Sequence, residues 1–529
     1  MNPLTKWQGI VGEQNILTSS EHLERYTANV TGIERSIQAV LLPESTEQVQ
    51  KIVAIANENK TPLYPISSGK NWGLGDRLPV QSGATIVDLK RMNKIHRVDP
   101  HHGYAVIEPG VTQKQLYEYL REHNLPFIIN ITGAGSDTTF VGNAMDRGIG
   151  YYGSRVDSMS GLEVVLGNGE VLRTGFGHYL NSKTTYLYPH GVGPSLEGLF
   201  FQSNFGIVTK VGMELIPHKD SHAYLSCSLK NPNNLEAFVD ILTDLRQRNI
   251  VRTTFHISND HRSEINACPL LYNYFLKEGD DKETSKRKAV ELFNSIKSCW
   301  SASCGLLGTK SYIKDAYEHT KQALKGIGSV KLWTFSSLKK QQKIAQRLSF
   351  LPSYRLKKAL LATLEPPLGH SRGIPSNDAL NSIFWPLNKI PQDLIEPAQQ
   401  NCGKLYVLPL VPMSGEAFGE VVQITTNILH DKFGFTPYIT MNMAKDKVFE
   451  SVINIAFHRD DPHQVQKAHN AITEVNRQFV TSGYIPYRVG IQAMSEIISS
   501  QDYHWQIVAQ LKDILDPNKI ISPGRYNLV

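Results

Sequence analysis

The stretch PISSGKNWGLG, residues 65–75, constrains the fold more than any other. It follows directly on the apolar run TPLYPI, so the chain leaves a strand and enters a loop holding three glycines. Glycine reaches φ > 0 and keeps side chains out of the way, so such a loop lies against a ligand or a neighbour through its backbone N–H groups. Phosphate is the usual ligand, yet both common phosphate patterns are excluded. A P-loop needs G-x-x-x-x-G-K-[ST], and a dinucleotide fingerprint needs G-x-G-x-x-G. Here the glycines stand at 69, 73 and 75. On spacing alone a surface turn and a cofactor loop fit equally well.

The flanks place this loop in a mixed architecture. Residues 37–60 read as a strand reaching Pro43, followed by an amphipathic helix opened by the capping box Ser45/Gln48. GATIVDLKRM and GYAVIEPGVT are strands, and Thr112 with Gln115 caps the helix TQKQLYEYLREHN. GLEVVLGNGEVLRTG is a hairpin turning at Asn168-Gly169, and GIVTKVGMELIP is a strand ending near Pro217. From about 220 to 500, strands such as HAYLSCSL, KLYVLPLV and VINIAFH alternate with longer helices, which predicts an antiparallel sheet covered by helices. The polar stretch KEGDDKETSKRK (277–288) reads as an exposed loop or a helix start.

With 529 residues, 41% hydrophobic and 20% charged, the composition is that of a globular protein of several domains. The net charge of +6 is spread out, and short basic runs such as SLKKQQK read as solvated helix faces, so no nucleic-acid partner is expected. No apolar run is long enough to cross a membrane, and the N-terminus does not read as a signal peptide. Cys227, Cys268, Cys299, Cys304 and Cys402 are scattered, with no C-x-x-C pair. They predict buried free thiols, no metal site and a cytoplasmic location.

Six segments in order then carry a resemblance. The opening loop, AVIEPGVTQKQLYEYL, FVGNAMDRGIGYYG, GLEVVLGNGEVLRTG, GVGPSLEGLFFQSNFGIVTKVGMEL and the C-terminal LDPNKIISPGRYNL are similar to segments of the vanillyl-alcohol oxidase and p-cresol methylhydroxylase family. The resemblance implies an α+β, two-domain flavoprotein. An FAD-binding domain of mixed α/β subdomains would span 1–219, a substrate-binding cap of antiparallel sheet covered by helices 220–500, and a segment returning to the FAD domain 501–529. It implies FAD as cofactor, held by Pro65, Ser67, Ser68, Gly69, Lys70, Asn71 and Gly73. Gly135, Ser136, Thr139, Gly142 and Asn143 line the pyrophosphate and flavin, and Ile207, Val208 and Arg525 complete the set.

The activity implied is hydride transfer from a para-substituted phenol, aryl alcohol or related aromatic to flavin N5, with O2 or an electron-carrier protein as acceptor. A 2-hydroxy acid as substrate, or flavin binding without catalysis, are the alternatives. A phenol donates hydride only after losing its proton, so the site must stabilise an oxyanion. A guanidinium with a phenolic O–H does this, and Tyr487-Arg488 matches the family's pair. Tyr151 and Tyr152 fall where the family places an active-site tyrosine, with Tyr152 the catalytic candidate, and His458 on a cap strand is the spare candidate for a base. Three departures stand out. Leu74 replaces a phenolate-binding tyrosine, and Ala134, after Gly133, stands where the oxidase branch has an acid. Asp137 takes that acid's place only with a shifted loop, and is otherwise a loop-capping aspartate. Lys404 is nearest the position of an anchoring histidine, with Tyr406 the remaining anchor candidate, so non-covalent FAD is expected. A homodimer is among the assemblies expected.

Overall fold

The computed structural model describes residues 2–218, 221–391 and 396–528. The first sheet runs in the order Ile16–Leu17, Ile37–Leu41, Ala84–Asp88, Leu63–Ile66, and its last three strands are parallel. A parallel pair needs a crossover, and the helix Thr46–Asn59 supplies it. Val49, Ile52, Val53 and Ala56 are fully buried on one face of that helix, as their helical spacing dictates. Ser45 caps it by accepting from the Gln48 N–H, but the Gln48 side chain turns to the Glu44 N–H, so the predicted box closes on one side only. Thr112 behaves alike: it accepts from the Gln115 N–H, while Gln115 reaches the Asn93 carbonyl.

A second, antiparallel sheet follows, in the order Val171–Arg173, Met159–Leu166, Gly206–Glu214, Tyr104–Ile107, Ile95–Asp99. Its hairpin turns over 167–170, with only Gly169 at positive φ, rather than through the two-residue turn that Asn168-Gly169 suggests. The strand Gly206–Glu214 is central in this sheet.

The third sheet is antiparallel throughout. It orders Gly328–Trp333, Ser221–Leu229, Trp300–Gly308, His256–Asn259, Tyr438–Asn442, Val448–His458 and Cys402–Val407, with Leu410–Pro412 also pairing with Val448–His458. Its alternation builds two different faces. Ile257, Ala302, Cys304 and Met441 point into a core shared with the helices Leu235–Gln247, Gly415–Thr425 and Pro462–Thr481. His256, Ser258, Ser301, Ser303, Thr440 and Asn442 point the other way, into a cavity. The stretch 277–288 closes one helix, Asp260–Lys277, and opens the next, Lys282–Ile296.

The chain end returns to the first sheet. Leu63 N–H donates to the Ile520 carbonyl and Ser522 N–H to the Leu63 carbonyl, which lays the C-terminal segment beside Leu63–Ile66. Cys227, Cys268, Cys304 and Cys402 are buried free thiols, and Cys299 is half-buried. Among the described residues no helix is long and apolar enough to cross a membrane. The boundary expected between 219 and 220 falls outside the described residues.

Candidate active site

The loop 67–75 leaves the carboxyl end of the strand Leu63–Ile66, which is where open parallel sheets place ligands. Opposite it stands the helix Phe140–Met145. The cleft between them is lined by Pro65, Ser67, Ser68, Gly69, Lys70 and Asn71 on one side and by Gly142 and Asn143 on the other. Ser67 Oγ lies 2.7 Å from Thr139 Oγ1 and ties loop to helix. A Cβ at Gly142 would come within 2.0 Å of Ser67 Oγ, so only glycine permits this approach. Gly69 has φ +63, but the space its Cβ would need is filled by Arg77, which forms a bidentate pair with Glu396.

Ile207 and Val208 line the far end of the cleft, together with Gln202 and Ser203. Asp146, one turn after Asn143, is buried and gathers two arginines. Arg488 Nε donates to it at 2.7 Å and Arg525 Nη2 at 2.5 Å. Arg525 also donates to the Tyr64 hydroxyl and Arg488 to Asn71. Burial lowers a guanidinium's pKa, yet Arg488 and Arg525 both end above their ordinary value: Asp146 outweighs burial at Arg488, and Tyr64 with Asp146 at Arg525. Both line the cleft.

The cleft continues into a slot between the loop and the cap. Asn71, Trp72 and Leu74 form one wall, and Lys404, Tyr406, Tyr487 and Arg488 the other, with Gly133 and Ala134 between them. Burial raises the Tyr487 hydroxyl's pKa, so it stays protonated and can donate a hydrogen bond. Tyr406 goes the other way. Burial alone would raise its pKa, but Lys404, Arg262 and Arg488 together draw it below the ordinary phenol value. A third cavity, of about 420 Å³, opens beyond the slot and shares Gly133, Ile149, Arg262 and Val452 with it. Tyr151 lines this cavity, and its buried hydroxyl has no hydrogen-bond partner. His256 stands beside it: its Nε2 donates to the Tyr151 carbonyl, its Nδ1 lies 2.7 Å from Asn442 Oδ1, and burial lowers its pKa.

Five expected residues sit elsewhere. Tyr152 donates its hydroxyl to the Ser371 carbonyl, so Tyr151, not Tyr152, faces the cavity. His458 closes the strand Val448–His458 opposite Cys402, two residues beyond the slot-lining Lys404, and lines neither slot nor cavity. Gly73 turns its α-carbon to the Tyr406 ring rather than to the cleft. Gly135 and Ser136 meet Asn377, and both Ser136 donors are spent on that side chain's oxygen. Asp137 is exposed and pairs loosely with Lys70 at 3.5 Å, so it is a loop aspartate. Sequence reasoning missed Asp146 and Arg262. The first sits within the quoted FVGNAMDRG segment, three residues after Asn143, a spacing that signals one helix face. The second lies in the polar run NDHRSE, which gives no sign of burial.

The residues fit a dinucleotide-sized, phosphate-bearing cofactor. The cleft offers small side chains, an approach only glycine allows, and the orphaned buried Asn143 Oδ1 facing both cleft and slot. The comparisons agree. Residues 37–175 match the model of an FAD binding domain. The chain is 30% identical to a 1'-carboxy-chondrochloren decarboxylase of Chondromyces crocatus, over 99% of this chain and 96% of that one. It is 28% identical to the flavoprotein subunit of a hydroxylating 4-cresol dehydrogenase of Pseudomonas putida, over 99% and 94%. Among solved structures, 4-ethylphenol oxidase from Gulosibacter chungangensis, in complex with isoeugenol, superposes with a TM-score of 0.84 at 25% identity, covering 100% of this chain and 97% of that one. With a relative 30% identical over nearly the whole chain, an FAD-binding model matched to residues 37–175 and a cleft that fits such a cofactor, the chain is an FAD-dependent oxidoreductase of the vanillyl-alcohol oxidase and p-cresol methylhydroxylase family.

Proposed function

We propose that the protein oxidises a para-substituted phenol, aryl alcohol or related aromatic. FAD, when bound, supplies the hydride acceptor at N5. The observation that supports this reading is the slot in which Tyr487 and Arg488 stand side by side between the FAD cleft and the cap cavity. Tyr487 keeps its proton and donates to the substrate oxygen. Arg488 spends Nε and Nη2 on Asp146 and Asn71, which leaves Nη1 to meet a phenolate. Asp146 thereby orients the guanidinium. With Leu74 in place of a second tyrosine, no other phenolic donor comes from the loop. Gly133 and Ala134 leave space and no acid beside the flavin. The named activities of two relatives, on 4-cresol and 4-ethylphenol, support the same substrate class.

In this reading 1–219 binds FAD, 220–500 forms the cap, and 501–529 clasps the FAD domain. FAD is held without a covalent bond, O2 or an electron carrier accepts the electrons, and the enzyme works in the cytoplasm. The test is an anaerobic addition of 4-alkylphenols and 2-hydroxy acids, in separate samples, to the purified yellow protein. Bleaching of the flavin's visible band by the phenols alone supports the reading. Bleaching by hydroxy acids alone, or by neither, overturns it. Acid precipitation of the same sample should release the FAD, and flavin that stays with the protein would show a covalent bond.

A further inference from the structure

Most buried cations near the site have an acid. Arg488 and Arg525 share Asp146, and Lys512 has Asp516. Arg155 has none but is held by the Asn130 carbonyl and the Gln113 side chain, whereas Arg262 and Lys404 have no acid and no such oxygens. Among the described residues, neither has a carboxylate within ion-pair distance, and the Arg262 side chain makes no hydrogen bond. Its Nη1 is buried and unpartnered. Lys404 is 5% exposed, with its ammonium 4.8 Å from the Tyr406 ring centroid. The acid that lines the large cavity, Asp378, is engaged elsewhere and accepts from Ser376. The Tyr406 phenol is the acidic group beside both, and burying two cations with no carboxylate is costly, so the pair is built for an anion that arrives from outside.

Their place says which anion. Both line the slot with the Tyr487-Arg488 pair, and of the two only Arg262 continues into the large cavity. The hydroxyls of Ser258, Ser263 and Ser301 line that cavity too. A planar guanidinium that lines a cavity with neutral hydroxyls matches a carboxylate. We propose that Arg262 and Lys404 form a carboxylate-binding pair, and that the substrate is an aromatic whose side chain ends in a carboxylate. This rests on the phenol-oxidation reading for the position of the ring: the phenol oxygen lies at Tyr487 and Arg488, and the carboxylate reaches toward Arg262.

The test compares 3-(4-hydroxyphenyl)propanoate with the neutral 4-propylphenol on the FAD-loaded, full-length protein. Dissociation constants come from the perturbation of the flavin spectrum. The non-oxidisable 3-phenylpropanoate and propylbenzene give the same comparison without turnover. The wild type should prefer each carboxylate by about ten- to a hundredfold, the value of a hydrogen-bonded charge pair. Arg262→Gln should bring that ratio close to one, Lys404→Met should reduce it, and Arg262→Lys should restore part of it. Equal affinity for both members of a pair in the wild type overturns the proposal. So does a ratio that survives Arg262→Gln. If Arg262→Gln leaves the ratio intact but lowers the flavin's reduction potential, the cations serve the reduced flavin instead. Tight, Arg262-dependent carboxylate binding without bleaching upholds the pair and overturns the phenol reading alone.

Discussion

Gly69 shows how one backbone angle can hold a site together. Its φ of +63 suits glycine, and its missing side chain makes room for Arg77. Gly69→Val adds strain of about 1–3 kcal/mol and a clash with a side chain already fixed by Glu396. The loop relieves both by moving, so flavin per mole of folded protein should fall severely. Wild-type FAD content in a folded Gly69→Val protein would show that this loop does not hold the cofactor. Asp146 is the second decisive residue. Arg488→Leu breaks a buried ion pair, which costs about 3–5 kcal/mol of stability as well as activity. Asp146→Asn in the same protein should cost less stability in denaturant unfolding than it does alone, because only the Arg525 pair is then left to break. Strictly additive losses would mean that the two side chains do not communicate.

Asp76 gives a pH dependence with a definite sign. Burial raises its carboxyl pKa to about 7, although the Val30 N–H donates to Oδ2 at 2.6 Å. Oδ1 is buried without a partner, as suits a neutral acid. The folded protein thus holds a proton that the unfolded chain has released. This contribution is full below the ordinary aspartate range, near 4, and is lost as pH rises toward 7. Asp76→Asn should flatten the melting temperature across that window. A wild-type curve already flat there would show that Asp76 is ionised throughout.

At the scale of elements, the C-terminal helix Tyr503–Leu515 is latched by a wholly buried pair. Lys512 and Asp516 are both fully buried, 2.6 Å apart, and Lys512 also donates to the Asn204 and Ile521 carbonyls. Asp516 accepts from the Ile520 and Ile521 N–H groups, which fixes the segment that runs beside Leu63–Ile66. Arg525 then reaches the cleft from this segment. Lys512→Met leaves Asp516 buried and unpaired, at a cost of about 3–5 kcal/mol. It should also loosen FAD, because Arg525 loses its support. Unchanged stability and FAD affinity would deny the segment a clasping role. The element pattern itself was legible in the sequence, since alternation and helical spacing set the sheets and their covering helices. What the spacing could not give was direction across space. Tyr151 and Tyr152 are neighbours in sequence, and only the fold decides that one faces the cavity and the other the Ser371 carbonyl. His458 falls just past the slot's lining for the same reason: it shares a strand with Val452, and the sequence does not say where along it the slot ends.

For the whole molecule, the two halves meet at one continuous path from the FAD cleft, through the slot, to the cap cavity. The glycine loop and the Tyr487-Arg488 pair could be read from their motifs. Asp146, Arg262 and Lys404 take their meaning from long-range packing: each is an ordinary charged residue until its burial and its partners are known. The central claim is that the path carries an aromatic substrate to a hydride acceptor. The measurement that tests it most directly is anaerobic single-turnover flavin reduction by 4-ethylphenol, with hydrogen and then deuterium at the benzylic carbon. The account predicts that the flavin bleaches and that deuterium slows the bleaching, because that C–H bond breaks as hydride leaves. Bleaching at the same rate with either isotope, or an oxidised flavin at saturating substrate, would contradict it.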